Sequence, residues 1–172
     1  MSKFLCACLV LLCVSCKKTD QPTTEQSDAA PKSQIITEKD ISKLSYLDFG
    51  LDDRVLPIIE SWDEFNQLQN IIGNIKKGDL SYFKIDAKKN LKTLLSDINN
   101  TIPEALNTPS IQARILVVET KLYKTESLSN LSSIKKQELL EALKELLESY
   151  SNLCFQMNKK LENDSQSIER PM

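Results

Sequence analysis

Leu139, Leu143, Leu146, Tyr150, Leu153, Met157 and Leu161 recur three or four residues apart over more than three helical turns, with Lys and Glu on the other side. A β-strand cannot use that spacing, since its side chains change face at every residue. A helix of about 3.6 residues per turn gathers them on one stripe. Such a stripe must be buried, and the chain supplies other helices to bury it. Thr37 followed by Glu38, Lys39 and Asp40 looks like a helix start, opening a short piece through Ile41, Leu44 and Leu47 that ends near Gly50. Ser61, Trp62, Asp63 and Glu64 have the form of a capping box, after which Trp62, Phe65, Leu68, Ile72 and Ile75 are spaced helically up to Gly78, with Ile58 and Ile59 as a backward extension after Pro57.

The next face is Phe83, Ala87, Leu91, Leu94, Leu95, Ile98 and Ile102, stopped by Pro103. Thr108 then caps Pro109, which suits a first helical position because its missing N–H has no helical partner there; Ile111, Ile115, Val118 and Leu122 form the stripe that follows. Few glycines (3) and few aromatics (6%) agree with helix rather than sheet. The expected fold is all-α, an antiparallel up-down-up-down four-helix bundle with a short preceding helix, over residues 35–162. The tail, 163–172, loses the stripe and is expected to be disordered.

Ahead of this body the chain opens with Met1, Ser2 and Lys3 and runs apolar from Phe4 through Val14, before Ser15, Cys16, Lys17 and Lys18. A spanning helix needs roughly 20 apolar residues, and this run is about half that, so it fits an export leader better than a permanent span. Leu11, Leu12, Cys13, Val14, Ser15 and Cys16 resemble the lipobox of bacterial lipoproteins: an aliphatic residue, then a small residue, then an obligatory cysteine. Cys13 departs from the pattern, standing where that family usually has Leu. Cys13 and Cys8 are rival cleavage sites, but Cys13 follows the bulky Leu12 and Cys8 leaves almost no apolar run ahead of it.

The resemblance covers about the first 16 residues. It implies a signal peptide at 1–15, and a diacylglyceryl thioether on Cys16 with further acylation of its new amino group. Several acyl chains on one residue anchor stably where a single chain is marginal. An ordinary secreted protein with a free Cys16 is the alternative. Residues 16–34 then form the lipidated cysteine and a tether: Lys17 to Gln34 is rich in Thr, Gln, Ser, Asp, Ala and Pro, and a flexible coil of that length reaches on the order of 25 Å. The start is similar to those of Bacteroidetes and flavobacterial lipoproteins, some of which carry acidic residues after the cysteine as a surface-export mark. Asp20 stands nearly alone here, leaving the periplasmic and surface faces of the envelope, with the outer membrane as the expected location, both open.

Cys6, Cys8 and Cys13 depart with the leader and Cys16 is consumed by lipid, so Cys154 remains as a single thiol that cannot close a bridge within its own chain. Flanked by Leu153, Met157 and Leu161, it is expected to be a buried small hydrophobe rather than a reactive group.

The chain has no histidine, which removes histidine-based triads, paired-histidine zinc sites and histidine haem ligation, and its 3 glycines are too scattered for a phosphate loop. The carboxylate groups Asp52 with Asp53, Glu60 with Asp63 and Glu64, and Glu141 with Glu145 and Glu148 match neither a Glu-x-x-His di-metal bundle nor a calcium loop; they fit solvated helix surface. No catalytic set, metal site or cofactor is expected. With 22 Lys and Arg against 24 Asp and Glu, and lysines spread rather than massed, nucleic acid is not an expected partner, although Lys76 and Lys77 with Lys88, Lys89 and Lys92 could form a local basic patch.

Arg114 lies three residues after Ile111 and four before Val118, on or beside a buried stripe. It can snorkel outward along its stem, pair with an acid such as Glu60, Asp86 or Asp97, or form a buried polar or anion site. Ile111, Ala113, Arg114, Val118, Glu119 and Thr120 resemble, loosely, a stretch of small helical lipoproteins of Bacteroidetes, a resemblance that implies no particular activity.

Two functional classes follow. The first is a non-catalytic envelope module held at the membrane by its lipid and binding a protein or cell-wall partner, as an accessory subunit, inhibitor or immunity-type protein. The second is a sensor or carrier with a small-ligand pocket inside the bundle, lined by Trp62, Phe65, Tyr82, Phe83, Tyr123 and Tyr150. The same aromatics would serve equally as ordinary core. A closed core favours the first class, and an apolar cavity with converging polar groups the second.

Overall fold

A computed structural model describes residues 35–84 and 88–166. Among them the regular structure is entirely helical: α1 (Glu38–Ile41), α2 (Leu56–Ile59), α3 (Asp63–Lys76), α4 (Lys88–Asn100), α5 (Pro109–Ser129) and α6 (Lys136–Ser165), with single 3-10 turns at Ser81–Phe83 and Glu104–Leu106. The expected leader, Cys16 and tether lie outside the described residues.

The longest element is α6, at 30 residues. Leu139, Leu143, Leu146, Tyr150, Leu153 and Met157 are buried along it, joined by Ala142, Leu147 and Cys154, and Leu161 is partly buried at the end of the stripe. The helix continues to Ser165, three residues into the expected tail. Lys160 pairs there with Asp164, and the Ser165 hydroxyl donates to the Glu162 carbonyl (2.7 Å), so local bonds carry the helix past the last apolar contact. α5 lies along α6, with α4 packed against both α3 and α5. Their buried faces merge in one cluster that includes Ile111, Ile115, Val118 and Leu122 from α5 and Leu91, Leu94, Leu95 and Ile98 from α4.

Two helix starts are built as the residue types require. Thr37 and Asp40 form a reciprocal capping box, Thr108 accepts from the Ile111 amide at 3.4 Å, and Pro109 occupies the first turn of α5. At the end of α3 the Gly78 amide donates to Ile75 O (2.8 Å) and the Asp79 amide to Asn74 O (3.0 Å), the paired bonds of a Schellman motif. Gly78 has φ of 80°, and a Cβ there would stand 2.8 Å from the backbone of both Thr37 and Glu38, so glycine both closes α3 and admits α1 beside it.

The Ser61 capping box does not form. Trp62 is the N-cap of α3, without a side-chain bond to the helix, and α2 is a separate turn rather than a backward extension. The break lets the Trp62 indole drop into the core, where its Nε1–H donates to the Thr101 hydroxyl at 3.0 Å. The Asn66 amide bridges the gap by donating to Ile59 O (3.1 Å) and Glu60 O (3.2 Å).

A second departure is larger. α1 ends at Ile41, and the chain up to Gly50, expected to be helical, leaves it, with Leu47 72% exposed. Residues 47–52 run instead as a strap along α6. The Phe49 amide donates to Ser151 Oγ (2.7 Å), which donates to Leu47 O (2.6 Å); the Asp52 amide donates to Asn158 Oδ1 (2.8 Å), whose Nδ2 donates to Gly50 O (2.8 Å). Each α6 side chain thus joins a carbonyl to the amide two residues later, and the pattern repeats after three strap residues and seven helix residues. The lengths agree: seven helical residues rise about 10.5 Å, and three extended ones span roughly 10 Å. Between the two clamps, Phe49 packs on Phe155 with ring centroids 4.7 Å apart.

Candidate functional site

Of the residues singled out by sequence, Tyr150 and Cys154 meet in one concavity, whereas Arg114 stands apart from them. Cys16 lies outside the described residues. Arg114 is exposed and forms no ion pair among the described residues; Asp86, one of its proposed partners, lies outside them. Arg114 is therefore not buried as a polar site in the core would require, and helical geometry gives the reason. Ile111, Ile115, Val118 and Leu122 span a narrow arc, and at about 100° per residue Arg114 falls roughly 70° from its centre. What α5 buries instead is Thr125, whose hydroxyl donates to Lys121 O (2.8 Å), and Glu126, which accepts from Asn130 Nδ2 (3.3 Å).

The carboxylates also separate by environment. Glu141 and Glu148 are exposed, as expected of solvated surface, but Glu145 bridges helices, accepting from Lys124 (2.8 Å) and Lys121 (2.9 Å) of α5. Those two bonds lower its pKa. Among the described residues no three Cys, Asp or Glu side chains gather as a metal-binding group.

Of the aromatics considered as pocket lining, Trp62, Phe65 and Phe83 are fully buried, and Trp62, Phe65 and Tyr150 form a continuous ring stack with centroid spacings of 5.0 and 6.2 Å. Tyr82 and Tyr123 pack on the core from its margin. Tyr150 and Phe83 each also border a separate surface concavity, so the rings are not gathered around one cavity inside the bundle.

A concavity does occur where the strap, α3 and α6 meet. Its volume is about 410 Å³, and its lining falls into three parts. The strap and the start of α2 contribute Phe49, Leu51 and Leu56 as an apolar wall. Gln69 from α3 and Tyr150 and Cys154 from α6 form a polar floor, with the Tyr150 hydroxyl facing both the Gln69 amide and the Cys154 thiol. At the mouth, Lys76 Nζ lies 2.7 Å from Asp48 Oδ2.

Helical spacing accounts for the convergence. Gln69 and Lys76 are seven residues apart on one face of α3, and Tyr150 and Cys154 one turn apart on α6. Gly73 shares the Gln69 and Lys76 face, and a Cβ added there would meet nothing within 4 Å. Burial pushes the Cys154 thiol up to about 11 and raises the Tyr150 hydroxyl well above its ordinary range, so both are protonated at neutral pH. The thiol is therefore a neutral part of the floor rather than a nucleophile. Periodicity placed Tyr150 and Cys154 on a buried face but held no sign of the strap that roofs them.

No protein-family model matches the chain, and neither a curated protein nor a solved structure shows significant similarity to it.

Proposed function

We propose that the protein is a non-catalytic interaction module of the cell envelope, anchored to a membrane through acyl groups on Cys16. It engages a protein or cell-wall partner as an accessory subunit, inhibitor or immunity-type protein. The observation that supports an interaction module over a ligand pocket inside the bundle is the packed core: the large aromatics stack on one another and the buried stripes form one cluster, leaving recognition to the surface. The anchor rests on the sequence from Leu11 to Cys16. Within this proposal α3 to α6 form the antiparallel up-down-up-down bundle, an arrangement supported by the packing of α3 on α4, α4 on α5 and α5 on α6.

The outer side of α5 supplies a contact surface. Leu116 is 60% and Val117 41% exposed, and Ala113 and Thr120 lie exposed on the same side, so an apolar strip faces solvent on a helix whose other face is already buried.

The test is affinity purification of the acylated protein from envelope extract beside Leu116→Glu and Cys16→Ala variants. A stoichiometric partner that the Leu116 variant loses, together with release of the Cys16 variant from membranes, is the expected result. Retention of the Cys16 variant on membranes would reject the anchor, and absence of any saturable partner would reject the interaction module.

A further inference from the structure

The concavity beneath the strap has a composition that the proposed interaction role does not use. Its mouth carries one positive and one negative group in contact, Lys76 and Asp48, with side chains 37% and 49% exposed. Behind them lie an apolar wall (Phe49, Leu51, Leu56) and the neutral donors and acceptors of Gln69 and Tyr150. A ligand with a single charge fits badly: an anion drawn to Lys76 must displace Asp48 and leave that carboxylate uncompensated, and a cation drawn to Asp48 does the same to Lys76. A ligand carrying both charges on adjacent groups exchanges one ion pair for two and leaves neither side unmatched.

The separation narrows the class further. Nζ and Oδ2 are 2.7 Å apart. In an α-amino acid the ammonium nitrogen and the nearer carboxylate oxygen lie roughly 3 Å apart by ordinary bond lengths. In a peptide the two terminal charges are separated by at least one further residue. Loosening the Lys76–Asp48 pair enough to admit both ligand charges beside it costs little, because an exposed ion pair is only weakly held. A concavity of about 410 Å³ accommodates one amino acid with a side chain of leucine or phenylalanine size, and the wall offers that side chain an apolar surface.

We propose that the cleft between the strap, α3 and α6 binds a free α-amino acid with an apolar side chain, the carboxylate on Lys76, the ammonium on Asp48 and the side chain against Phe49, Leu51 and Leu56. Gln69 and Tyr150 supply the remaining hydrogen bonds from the floor. Because the strap forms the wall and is itself held to α6 through Ser151 and Asn158, occupancy fastens it further.

The experiment is titration of the full chain, purified in detergent, with L-leucine and L-phenylalanine by calorimetry and ligand-observed NMR. 4-Methylpentanoate and isoamylamine serve as analogues that each lack one charge. The expected result is saturable binding of at least one amino acid with Kd of about 1 mM or tighter, at least about tenfold weaker binding of both analogues, and a similar loss in Lys76→Met and Asp48→Asn. Lys76 and Asp48 lie at the surface, so circular dichroism of the variants should be unchanged. Absence of saturable binding of either amino acid up to about 10 mM would overturn the proposal, as would equal binding of the analogues or indifference to both substitutions. None of these outcomes bears on partner capture through α5, so the two proposals fail separately.

Discussion

Replacing Asn158 by alanine should release one end of the strap while leaving α6 intact. The side chain makes two bonds to the strap, from the Asp52 amide and to the Gly50 carbonyl, each 2.8 Å. A hydrogen bond of this kind contributes about 1 kcal/mol net, so roughly 2 kcal/mol is lost. Gly50 is exposed and Asp52 only half-buried, so water can replace the missing partners and the full penalty of orphaned groups does not apply. Alanine also favours the helix over asparagine by about 0.5 kcal/mol, which offsets part of the loss in global stability but none of it in strap opening. Urea denaturation should therefore show about 1.5 kcal/mol lower stability, while hydrogen exchange at the Asp52 amide accelerates about 30-fold. Amides of Leu153 and Met157, within α6, should change only in proportion to the global loss. Unaltered exchange at Asp52 would refute the clamp, and equal acceleration throughout α6 would show that Asn158 supports the whole fold instead of the strap.

The two helix-associated glycines should respond in opposite directions. Gly78→Ala meets backbone at 2.8 Å and an unfavourable positive φ, and should cost at least about 2 kcal/mol in denaturant unfolding, whereas Gly73→Ala has open space and should gain about 0.5–1 kcal/mol. Hydrogen bonds from Lys136 and Thr37 lower the Asp40 pKa from 3.8 to about 2, so the folded state binds fewer protons than the unfolded chain. This contribution is complete above pH 4 and lost as the pH falls through 2; urea midpoints over that window should drop less steeply for Asp40→Asn than for the native chain. Arg114→Met should change stability by less than about 0.5 kcal/mol, since the guanidinium is exposed, and a larger loss in thermal or urea unfolding would mean that it holds a partner in solution.

The sequence alone determined whatever a helix can encode within itself. Ile111, Ile115, Val118 and Leu122, and the seven-residue stripe of α6, fix which face turns inward because their spacing matches the helical turn. Thr37 and Thr108 mark helix starts because their hydroxyls reach only as far as the first turn. Tertiary structure decided what depends on residues remote along the chain. The segment after Ile41 abandons helix because Ser151 and Asn158, 102 and 106 residues away from their strap donors, satisfy its backbone and Phe155 takes Phe49. Trp62 breaks the run expected from Ile58 because its ring is buried in the core while its indole N–H reaches the hydroxyl of Thr101 at the surface. The cleft arises from the same cause: Gln69 and Lys76, Tyr150 and Cys154 are each legible as helix faces, but their union with Asp48 exists only where the strap crosses between α3 and α6. Periodicity is a property of one element, whereas hydrogen-bond satisfaction of an irregular segment belongs to the whole molecule.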